Sequence, residues 1–345
     1  MRKTLAWFSF VIVITCLIAY PAYAQSFEIP YDRSDAQALL KKMQSAAQKL
    51  NYAGIFVYQQ GNQVRTSRIT HLLDGKNEVE KLEVLDGNPR EYIRNNEEIT
   101  YYAPETKTLL VERRTTQDVF AAIIASNSTE LTEYYNIQKK EAGRVAGFDC
   151  QIITLSPTDH LRYGYKLWSE KRTGLLLRAQ TLNHNRDVVE QIAFTQIEIG
   201  NIDKNLVKPS FTNTAGWRRE NAVMAQLNLS AWTVKAMLPG FKKIREFKRI
   251  VSDAPSMNST SVSAFLVNPQ SNYREVAQIV FSDGLAAISL FIEPSAQHKT
   301  EGSMQQGAMN IITKRQDDHW LTIVGEVPLA SLRQVANSIE FKSNK

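Results

Sequence analysis

Residues 52–71 read YAGIFVYQQGNQVRTSRITH, and this stretch decides the fold class of the chain. Two runs rich in β-branched and aromatic residues flank the pair Gly61-Asn62, which favours a tight turn between antiparallel strands. Turns of similar composition follow at residues 74–75 and 86–89. Strands joined by such short turns pair as antiparallel neighbours, so the sequence predicts a β-meander.

The meander occupies most of the N-terminal two thirds of the chain. It follows an amphipathic helix predicted over residues 34–50, and a short helix predicted over residues 117–125 interrupts it. The predicted strands are residues 52–60, 63–71, 79–85, 90–94, 99–102, 151–155, 161–170, 175–182 and 188–199.

Charged side chains alternate with apolar ones along these strands, so we expect one wet face and one face packed against helices. The alternating charges are Arg65, Arg68, Glu80, Glu83, Arg90 and Arg94. A twisted sheet of this size tends to curl into a half-barrel. The space between sheet and helices is either filled or an open cleft, and the sequence leaves both alternatives open.

From residue 213 a polar, basic stretch replaces the meander, and we interpret residues 213–230 as a linker. A smaller antiparallel domain is predicted over residues 231–345, and residues 302–307 within it are predicted to form a flexible loop. Its predicted strands are residues 273–281, 285–293, 308–314 and 320–326, followed by a helix over residues 328–339. The chain is therefore predicted to be a two-domain α+β protein.

The first 24 residues have the three parts of a secretory signal peptide. Arg2 and Lys3 precede an apolar run over residues 5–19, and Ala22-Tyr23-Ala24 provides small residues for cleavage. The apolar run is shorter than the roughly 20 residues of a membrane-spanning helix, which disfavours a retained anchor. We expect cleavage after residue 24 and export. Cys150 is then the one remaining cysteine, more simply a buried thiol than a reactive one.

Basic residues are concentrated in the C-terminal part of the chain, which as a whole has a formal net charge of +6. Residues 218–249 contain eight basic side chains against Glu220 and Glu246. Such a stretch fits an acidic protein, anionic lipid headgroups or nucleic acid. Export makes nucleic acid the least plausible of these partners.

The sequence lacks the motifs that carry catalytic chemistry, namely a nucleophile elbow, a phosphate-binding glycine loop, a dinucleotide fingerprint and a zinc-protease helix. The five histidines lie far apart. Residues 317–319 (DDH) fall between two predicted strands, where a polar turn is the simpler interpretation. We therefore predict a protein that is not an enzyme and that uses no cofactor or metal.

Aromatic residues occur along the meander at strand spacing. Phe56 and Tyr58 share one face of their strand, because side chains two residues apart point the same way. An acyl-binding cleft needs such a lining, although ordinary sheet packing explains any single aromatic equally well. Alternation also implies that about half of the candidates point away from a cleft. The candidate lipid-binding residues are Phe56, Tyr58, Tyr101, Tyr163 and Trp168.

Several short blocks of sequence, taken in their order along the chain, indicate a resemblance to a known family. They are YAGIFVY (52–58), LEVLDGNPRE (82–91), RYGYKLW (162–168) with TGLLL (173–177), and FSDGLA (281–286) with VGEVP (324–328). In this order they resemble the MucB/RseB family, whose members are periplasmic regulators of the envelope-stress sigma factor sigma-E. The resemblance extends from about Leu39 to Phe341.

The resemblance implies a LolA/LolB-like antiparallel half-barrel, closed by helices, over residues 25–212. It implies a function as well. A family member is a periplasmic negative regulator of sigma-E signalling that binds the periplasmic domain of a single-span anti-sigma factor of the RseA/MucA kind. It protects this partner from regulated proteolysis, and mislocalised lipopolysaccharide or lipoprotein acyl chains release it. Self-association into homo-oligomers is left open.

A lipoprotein or lipid carrier of the LolA/LolB type is the alternative function, although a carrier would not need the second domain. For the regulator, we expect the partner surface on the second domain and the adjoining linker. Exposed basic side chains would steer the partner, and aromatic side chains would hold it. For each aromatic anchor, a place in the domain core is the competing interpretation. The steering residues are Arg218, Arg219, Lys242, Lys243 and Arg245, and the anchors are Trp232 and Phe241.

Overall fold

The computed structural model describes residues 33–113, 128–222, 225–226, 229, 231–252, 273–294 and 300–342. The predicted signal peptide and the predicted helix over residues 117–125 lie outside these residues. Among the helices that the structure describes, none is long and apolar enough to cross a membrane.

A twelve-stranded sheet dominates the N-terminal part of the chain, after helix α1 (Arg33–Lys49). Its strands are β1 (Tyr52–Gln60), β2 (Gln63–Asp74), β3 (Asn77–Val84), β4 (Arg90–Asn95), β5 (Glu98–Ala103), β6 (Thr108–Arg113), β7 (Tyr135–Val145), β8 (Phe148–Pro157), β9 (Gly164–Glu170), β10 (Leu176–Leu182), β11 (Val188–Ile199) and β12 (Arg218–Ala222). The strand order is β12-β6-β5-β4-β3-β2-β1-β11-β10-β9-β8-β7. All neighbours are antiparallel except β12 and β6.

The hairpin predicted around Gly61-Asn62 is confirmed, because Gln60 pairs with Gln63 across the turn. Gly61 has a φ of +58° and Gly75, in the next turn, a φ of +65°. Glycine adopts this left-handed conformation without steric cost, which explains why the sequence turns at these residues.

One face of this sheet is covered by helices. Residues that pair across antiparallel strands point to the same side, and the register runs from Tyr58 to Ile192, then to Ala179 and then to Leu167. These residues, together with Phe56 on the same side of β1, define the face that we call the covered face. Leu167, Ala179, Ile192 and Phe56 all belong to one buried cluster.

The helices pack their apolar side chains into this cluster. Leu40 and Met43 from α1 and Leu131 from helix α2 (Ser128–Tyr134) are fully buried there. Full burial of such a side chain contributes about 1.5–3 kcal/mol. The space between helices and sheet is therefore filled by side chains at these positions. The sequence alone left open whether this space is filled or an open cleft.

The expectation of one wet face is wrong for Glu80 and Arg94, which are both buried. Arg94 Nη2 donates a hydrogen bond to Glu78 Oε1 at 2.7 Å, and His71 Nε2 lies 3.0 Å from the same oxygen. His71 Nδ1 lies 2.7 Å from the carbonyl oxygen of Leu50, at the end of α1. The carboxylate of Glu78 and the carbonyl oxygen of Leu50 both accept hydrogen bonds, so these contacts favour the charged ring with a proton on each nitrogen. Burial opposes this charge, but the bonds to Glu78 and Leu50 raise the pKa of His71.

Four helices and strands of the N-terminal part were not predicted, namely β6, α2, β7 and β12. Strand β7 carries Lys139, Lys140 and Glu141 in succession, and a register shift follows Lys139. Consecutive charges and a bulge both break the period-two pattern that identifies a strand. Strand β12 lies within the stretch that we interpret as a linker, and it extends the sheet beside β6.

The C-terminal part forms an antiparallel sheet with a terminal helix, as predicted, but the sheet has seven strands where four were predicted. Its order is β13-β15-β16-β17-β20-β19-β18, and β14 pairs separately with β21. These elements are β13 (Ala225–Gln226), β14 (Trp232–Val234), β15 (Lys242–Ser252), β16 (Tyr273–Ser282), β17 (Ala287–Pro294), β18 (Gly302–Gln306), β19 (Met309–Gln316), β20 (His319–Gly325), α3 (Leu329–Asn337) and β21 (Ile339–Phe341).

The prediction of a flexible loop over residues 302–307 is wrong, because residues 302–306 form β18 and pair with β19. Glycines and polar side chains suggest a loop, but an edge strand with an exposed face needs few apolar residues. The α+β class is confirmed, with a helix-covered antiparallel sheet that does not close and a smaller C-terminal sheet domain ending in a helix. The boundaries of the two domains stay a prediction.

Gly54 provides a test of the β1 and β11 pairing. A Cβ atom at Gly54 would lie 2.5 Å from the carbonyl oxygen of Gln196 and 2.8 Å from the ring of Phe194. We expect Gly54→Ala to lower the free energy of unfolding by about 1–3 kcal/mol, because backbone and a packed ring must move. Urea denaturation measures this loss. Gly302→Ala, which meets open space, is the matched control and should change stability by less than about 0.5 kcal/mol. Equal effects of the two substitutions would contradict the tight packing.

Candidate functional site

The two sheet domains meet at a junction in which polar side chains are buried. The loop before β9 supplies Arg162 and Tyr163, and the C-terminal domain supplies Asp283, from the turn between β16 and β17, and Asn310 from β19. We call this set the interdomain junction. Leu285, which follows Asp283 in the turn, belongs to the buried cluster of the N-terminal domain, so the turn inserts into that domain.

The buried charged contact of the junction is the ion pair between Arg162 and Asp283. Arg162 Nη1 lies 2.7 Å from Asp283 Oδ2, and both side chains are 0% exposed. The hydroxyl of Tyr135 donates to the same oxygen at 3.3 Å. Asp283 Oδ1 accepts hydrogen bonds from the backbone N–H groups of Leu285 and Ala286. The buried carboxylate is therefore fully hydrogen-bonded, which offsets the cost of its burial.

Arg162 is held from several directions. Its Nη2 atom donates to the carbonyl oxygen of Pro239 at 2.7 Å and to Asp159 Oδ2 at 3.0 Å. The guanidinium carbon lies 4.7 Å from the centre of the Tyr134 ring and 5.7 Å from that of Phe241. A planar guanidinium can donate several hydrogen bonds in its plane while its faces stack on rings, a geometry that the compact ammonium of lysine does not offer.

Asn310 makes the second contact of the junction. It is fully buried, and its Nδ2 atom donates to the hydroxyl oxygen of Tyr163 at 3.2 Å and to the carbonyl oxygen of Val327 at 2.8 Å. At the end of β1, Gln60 Nε2 donates to the carbonyl oxygen of Gln306 at 2.7 Å. The two domains are thus joined at separate points along their contact.

Two carboxyl groups from opposite domains, Glu190 of β11 and Glu326 after β20, also lie at the contact. Tyr58 donates to Glu190 Oε2 at 3.0 Å, and the backbone N–H of Ala308 approaches the same oxygen at 3.5 Å. Burial raises the pKa of Glu190. Burial, with the nearby charge of Glu190, raises the pKa of Glu326 to about 7. The contact therefore favours the protonated form of both carboxyl groups.

A recess of ≈ 220 Å³ opens beside Glu190. Its lining is rich in amide side chains, and Gln191 links two of them because its Oε1 accepts from Gln180 and its Nε2 donates to Gln59. The lining residues are Gln59, Gly61, Gln180, Val188, Val189, Glu190 and Gln191. None of the predicted lipid-binding aromatics belongs to this recess.

The structure brings three of the predicted lipid-binding residues to one face. Phe56 and Tyr58 lie on the covered face, and the register from Gly54 through β2, β3 and β4 carries Tyr101 to the same side. Phe56 packs against Phe194 at 5.9 Å between ring centres. Tyr101 packs against Tyr92 at 5.0 Å. All three side chains are buried or partly buried.

The other two candidates lie elsewhere. Tyr163 contacts Asn310 at the interdomain junction. Trp168 follows Leu167 in β9, so it points away from the covered face. Its ring lies 4.6 Å from the Arg178 guanidinium. Alternation alone predicted that some candidates would point away, and Trp168 is one of them. The lipid-binding role of all five residues stays a prediction.

The predicted partner-binding residues fall into three groups. Arg218 and Arg219 are exposed on β12, at an edge of the N-terminal sheet. Lys242 and Lys243 are exposed and Arg245 is partly exposed on β15, in the C-terminal sheet. The basic stretch that is continuous in sequence is thus divided between two sheets.

Trp232 and Phe241 form the third group and belong to the buried core of the C-terminal domain. The Trp232 ring packs at 4.7 Å from Phe341 and 5.1 Å from His319. Their burial favours the core interpretation, and an anchoring role for either side chain stays a prediction.

Sequence reasoning missed the ion pair of Arg162 and Asp283, which are 121 residues apart. Each residue lies in one of the sequence blocks that carry the family resemblance. That position was the one feature of the sequence that could have pointed to these two residues. Within the described residues, no group of three or more potential metal ligands comes together. Cys150 is buried, and burial raises the pKa of its thiol to about 11, so it is a poor nucleophile at neutral pH.

The fold and the junction define a class of protein, a two-domain α+β protein in which a helix-covered antiparallel sheet is locked to a smaller sheet domain by buried polar contacts. The chain belongs to the MucB/RseB family. The model of the MucB/RseB N-terminal domain matches residues 35–211, and that of the MucB/RseB C-terminal domain matches residues 226–340.

Relatives and solved structures agree with this membership. The sigma-E factor regulatory protein RseB of Salmonella typhimurium is 26% identical over 89% of this chain and 91% of its own length. The sigma factor AlgU regulatory protein MucB of Pseudomonas aeruginosa is 26% identical over 98% of each chain. A crystal structure of MucB in complex with MucA(peri) has a TM-score of 0.65 and 25% identity, and it covers 90% of this chain and 100% of that chain. The complex structure of Pseudomonas aeruginosa MucA/MucB has a TM-score of 0.66 and 25% identity, with 90% and 99% coverage.

Removal of Arg162 tests the junction. We expect Arg162→Met to lower the free energy of unfolding by about 3–5 kcal/mol, because Asp283 remains buried without its counter-charge. Urea denaturation followed by fluorescence measures the loss. Lys204→Gln, which breaks an exposed ion pair with Asp74, is the control and should cost less than about 1 kcal/mol. A similar cost for both substitutions would show that the buried pair does not determine stability.

The raised pKa of Glu326 predicts that the stability of the folded protein depends on pH. Because the folded-state pKa of Glu326 lies above its usual value of 4.5, folding favours the protonated group, and stability falls as pH rises from 4.5 through 7. We expect Glu326→Gln, which stays neutral, to raise the melting temperature at pH 8 and to have little effect at pH 4. Glu340→Gln, at an exposed ion pair with Lys235, is the control. Melting curves of Glu326→Gln that shift equally at both pH values would argue against a buried proton at this residue.

Proposed function

We propose that this protein is a periplasmic negative regulator of sigma-E-type signalling. It binds the periplasmic domain of a single-span anti-sigma factor of the RseA/MucA kind and protects this partner from regulated proteolysis. Mislocalised lipopolysaccharide or lipoprotein acyl chains release it. The observation that carries the proposal is the likeness, over both domains, to MucB in its complex with MucA(peri).

The partner surface is proposed to include the exposed basic side chains of β12 and β15. These two strands belong to different sheets, so a partner that contacts both must span the two domains. Solvated charges mainly speed the encounter of two proteins, and salt screens them over about 8 Å at physiological ionic strength. Ile244, which is 54% exposed within the basic part of β15, adds an apolar contact.

The lipid-sensing site is proposed to lie on the covered face around Phe56, Tyr58 and Tyr101. Side chains of α1 and α2 fill part of this face, so an acyl chain must displace them to enter. Tyr58 also donates to Glu190 at the contact between the domains. Lipid bound beside Tyr58 would therefore disturb contacts that hold the two domains together, which gives a route from lipid to release of the partner.

A lipid carrier of the LolA/LolB type is the alternative, and partner binding distinguishes the two. We expect the purified protein to bind the periplasmic domain of the anti-sigma factor encoded by the same organism, as measured by calorimetry. Lipopolysaccharide should release this partner, and fluorescent fatty acid should bind to the free protein. Uptake of lipid without any binding of the anti-sigma domain would favour the carrier. Partner binding that is insensitive to both lipids would remove the sensing half of the proposal.

Charge reversal tests the steering surface. We expect Lys242→Glu with Lys243→Glu to lower the association rate with the anti-sigma domain roughly 3- to 10-fold at low salt and to flatten its salt dependence. The dissociation rate should change little, because both side chains are exposed and Lys243 forms its ion pair with Glu246 within β15. Stopped-flow mixing measures both rates. Lys204→Glu, at an exposed position of the N-terminal domain, is the control. An unchanged association rate in the folded double variant would exclude this part of β15 from the steering surface.

A further inference from the structure

Edge strands of a sheet can add a strand from another polypeptide unless charge, a bulge or a covering segment blocks them. Among the described residues of the N-terminal sheet, the edges are β12 and β7. Strand β12 exposes Arg218 and Arg219, and β7 exposes Lys139 and Glu141 and contains a register shift. Both edges therefore have features that oppose the addition of a strand.

The C-terminal sheet has two different edges. Strand β13 is only two residues long and pairs with Phe247 and Lys248, so residues 242–246 of β15 lie at the edge in the described part of the sheet. This segment is basic and contains a register shift beside Ile244. The opposite edge is β18, which reads GSMQQ and contains no charged residue.

Strand β18 is also accessible along most of its length. Its first four residues are exposed, and Met304 is 48% exposed. Strand β18 pairs with β19 on one side, and the described residues contain no strand on its other side. It has no proline that would remove a backbone donor. Among the four edges in the described part of the chain, β18 is the edge strand that has no charged residue, no bulge and no strand covering it.

We propose that β18 is a strand-addition site for the periplasmic domain of the anti-sigma factor, which pairs an extended segment with residues 302–306. The inference rests on the proposed function and names the contact by which the partner is held. Main-chain hydrogen bonds give such a complex its affinity, and neighbouring side chains select the segment. The part of the segment that faces residues 304–306 is uncharged, because β18 carries no charge there.

The surroundings of β18 set the limits of this segment. At one end, Gln60 of the N-terminal domain donates to the carbonyl oxygen of Gln306, so the added strand runs up to the contact between the domains. Near the other end, Arg333 Nη2 from α3 lies 3.5 Å from Ser303 Oγ. A carboxylate of the partner close to Ser303 would meet this guanidinium, which selects an acidic residue beside the uncharged segment.

A second copy of this chain is a weaker occupant than the partner. Two β18 strands paired about a two-fold axis would share only five residues each, whereas stable protein interfaces bury about 1,200–2,000 Å². A longer partner polypeptide can add contacts beyond the strand, on the basic part of β15 or across the domain junction. The partner can therefore reach the area that self-pairing cannot.

Hydrogen exchange on the full chain tests the proposal, with the purified periplasmic domain of the anti-sigma factor as the probe. We expect amide exchange in residues 302–306 to slow by about tenfold or more in the saturated complex. Met304→Lys places a charge on the edge and should weaken binding about tenfold. Leu206→Lys replaces a comparably exposed apolar side chain, 41% exposed in the N-terminal domain, and should leave the affinity unchanged.

The outcomes separate this inference from the proposed function. Normal binding with unchanged exchange in β18, or with full affinity in Met304→Lys, overturns the strand-addition site and leaves the regulator intact. Absence of binding by the unmodified chain overturns the regulator itself. Protection of β18 without the partner that grows with protein concentration assigns the edge to a second copy and overturns the partner assignment. Matching melting temperatures of the two variants establish that both are folded.

Discussion

The buried ion pair between Arg162 and Asp283 is the interaction on which the arrangement of this protein depends. Its guanidinium comes from one domain and its carboxylate from the other, and neither side chain touches solvent. Such pairs add little net stability relative to apolar packing, but a lost partner is costly, so they exclude alternative arrangements. Because the turn that carries Asp283 also inserts Leu285 into the N-terminal core, the pair fixes where the two domains meet.

The consequences of this fixed contact extend along the junction. Along the same contact Asn310 meets Tyr163, burial raises the pKa of Glu190, and burial together with the charge of Glu190 raises the pKa of Glu326. Tyr58 then connects this acidic pair to the covered face. A ligand that moves the covered face and a partner that spans the domains would therefore act on the same set of contacts, which is how binding at one site can alter binding at another.

Sequence reasoning recovered the architecture where local chemistry determines it, as in the glycine turns of β1 to β4 and the amphipathic terminal helix. It failed where tertiary contacts override local pattern. Glu80 and Arg94 alternate like solvent-exposed residues but are buried, and the GSMQQ segment resembles a loop but is a strand. The residues Arg162 and Asp283 were visible within conspicuous sequence blocks, yet their pairing over 121 positions required the fold. Alternation placed Phe56 and Tyr58 together, but only the register could place Trp168 on the opposite side.

The central position of β1 has a consequence for the order of folding. Tyr52 pairs with Ile199, so the first strand that the structure describes stays unpaired on this side until β11 is synthesised. A polypeptide that emerges N-terminus first can complete the hairpins of β1 to β4 early, but it leaves the other edge of β1 open meanwhile. Long-range pairing of this kind slows folding, and meanwhile the unpaired edge of β1 can form hydrogen bonds with other polypeptide chains. The pairing of β1 with β11, where an added Cβ at Gly54 would meet Gln196 and Phe194, is thus a place where a nascent chain is exposed to misassembly.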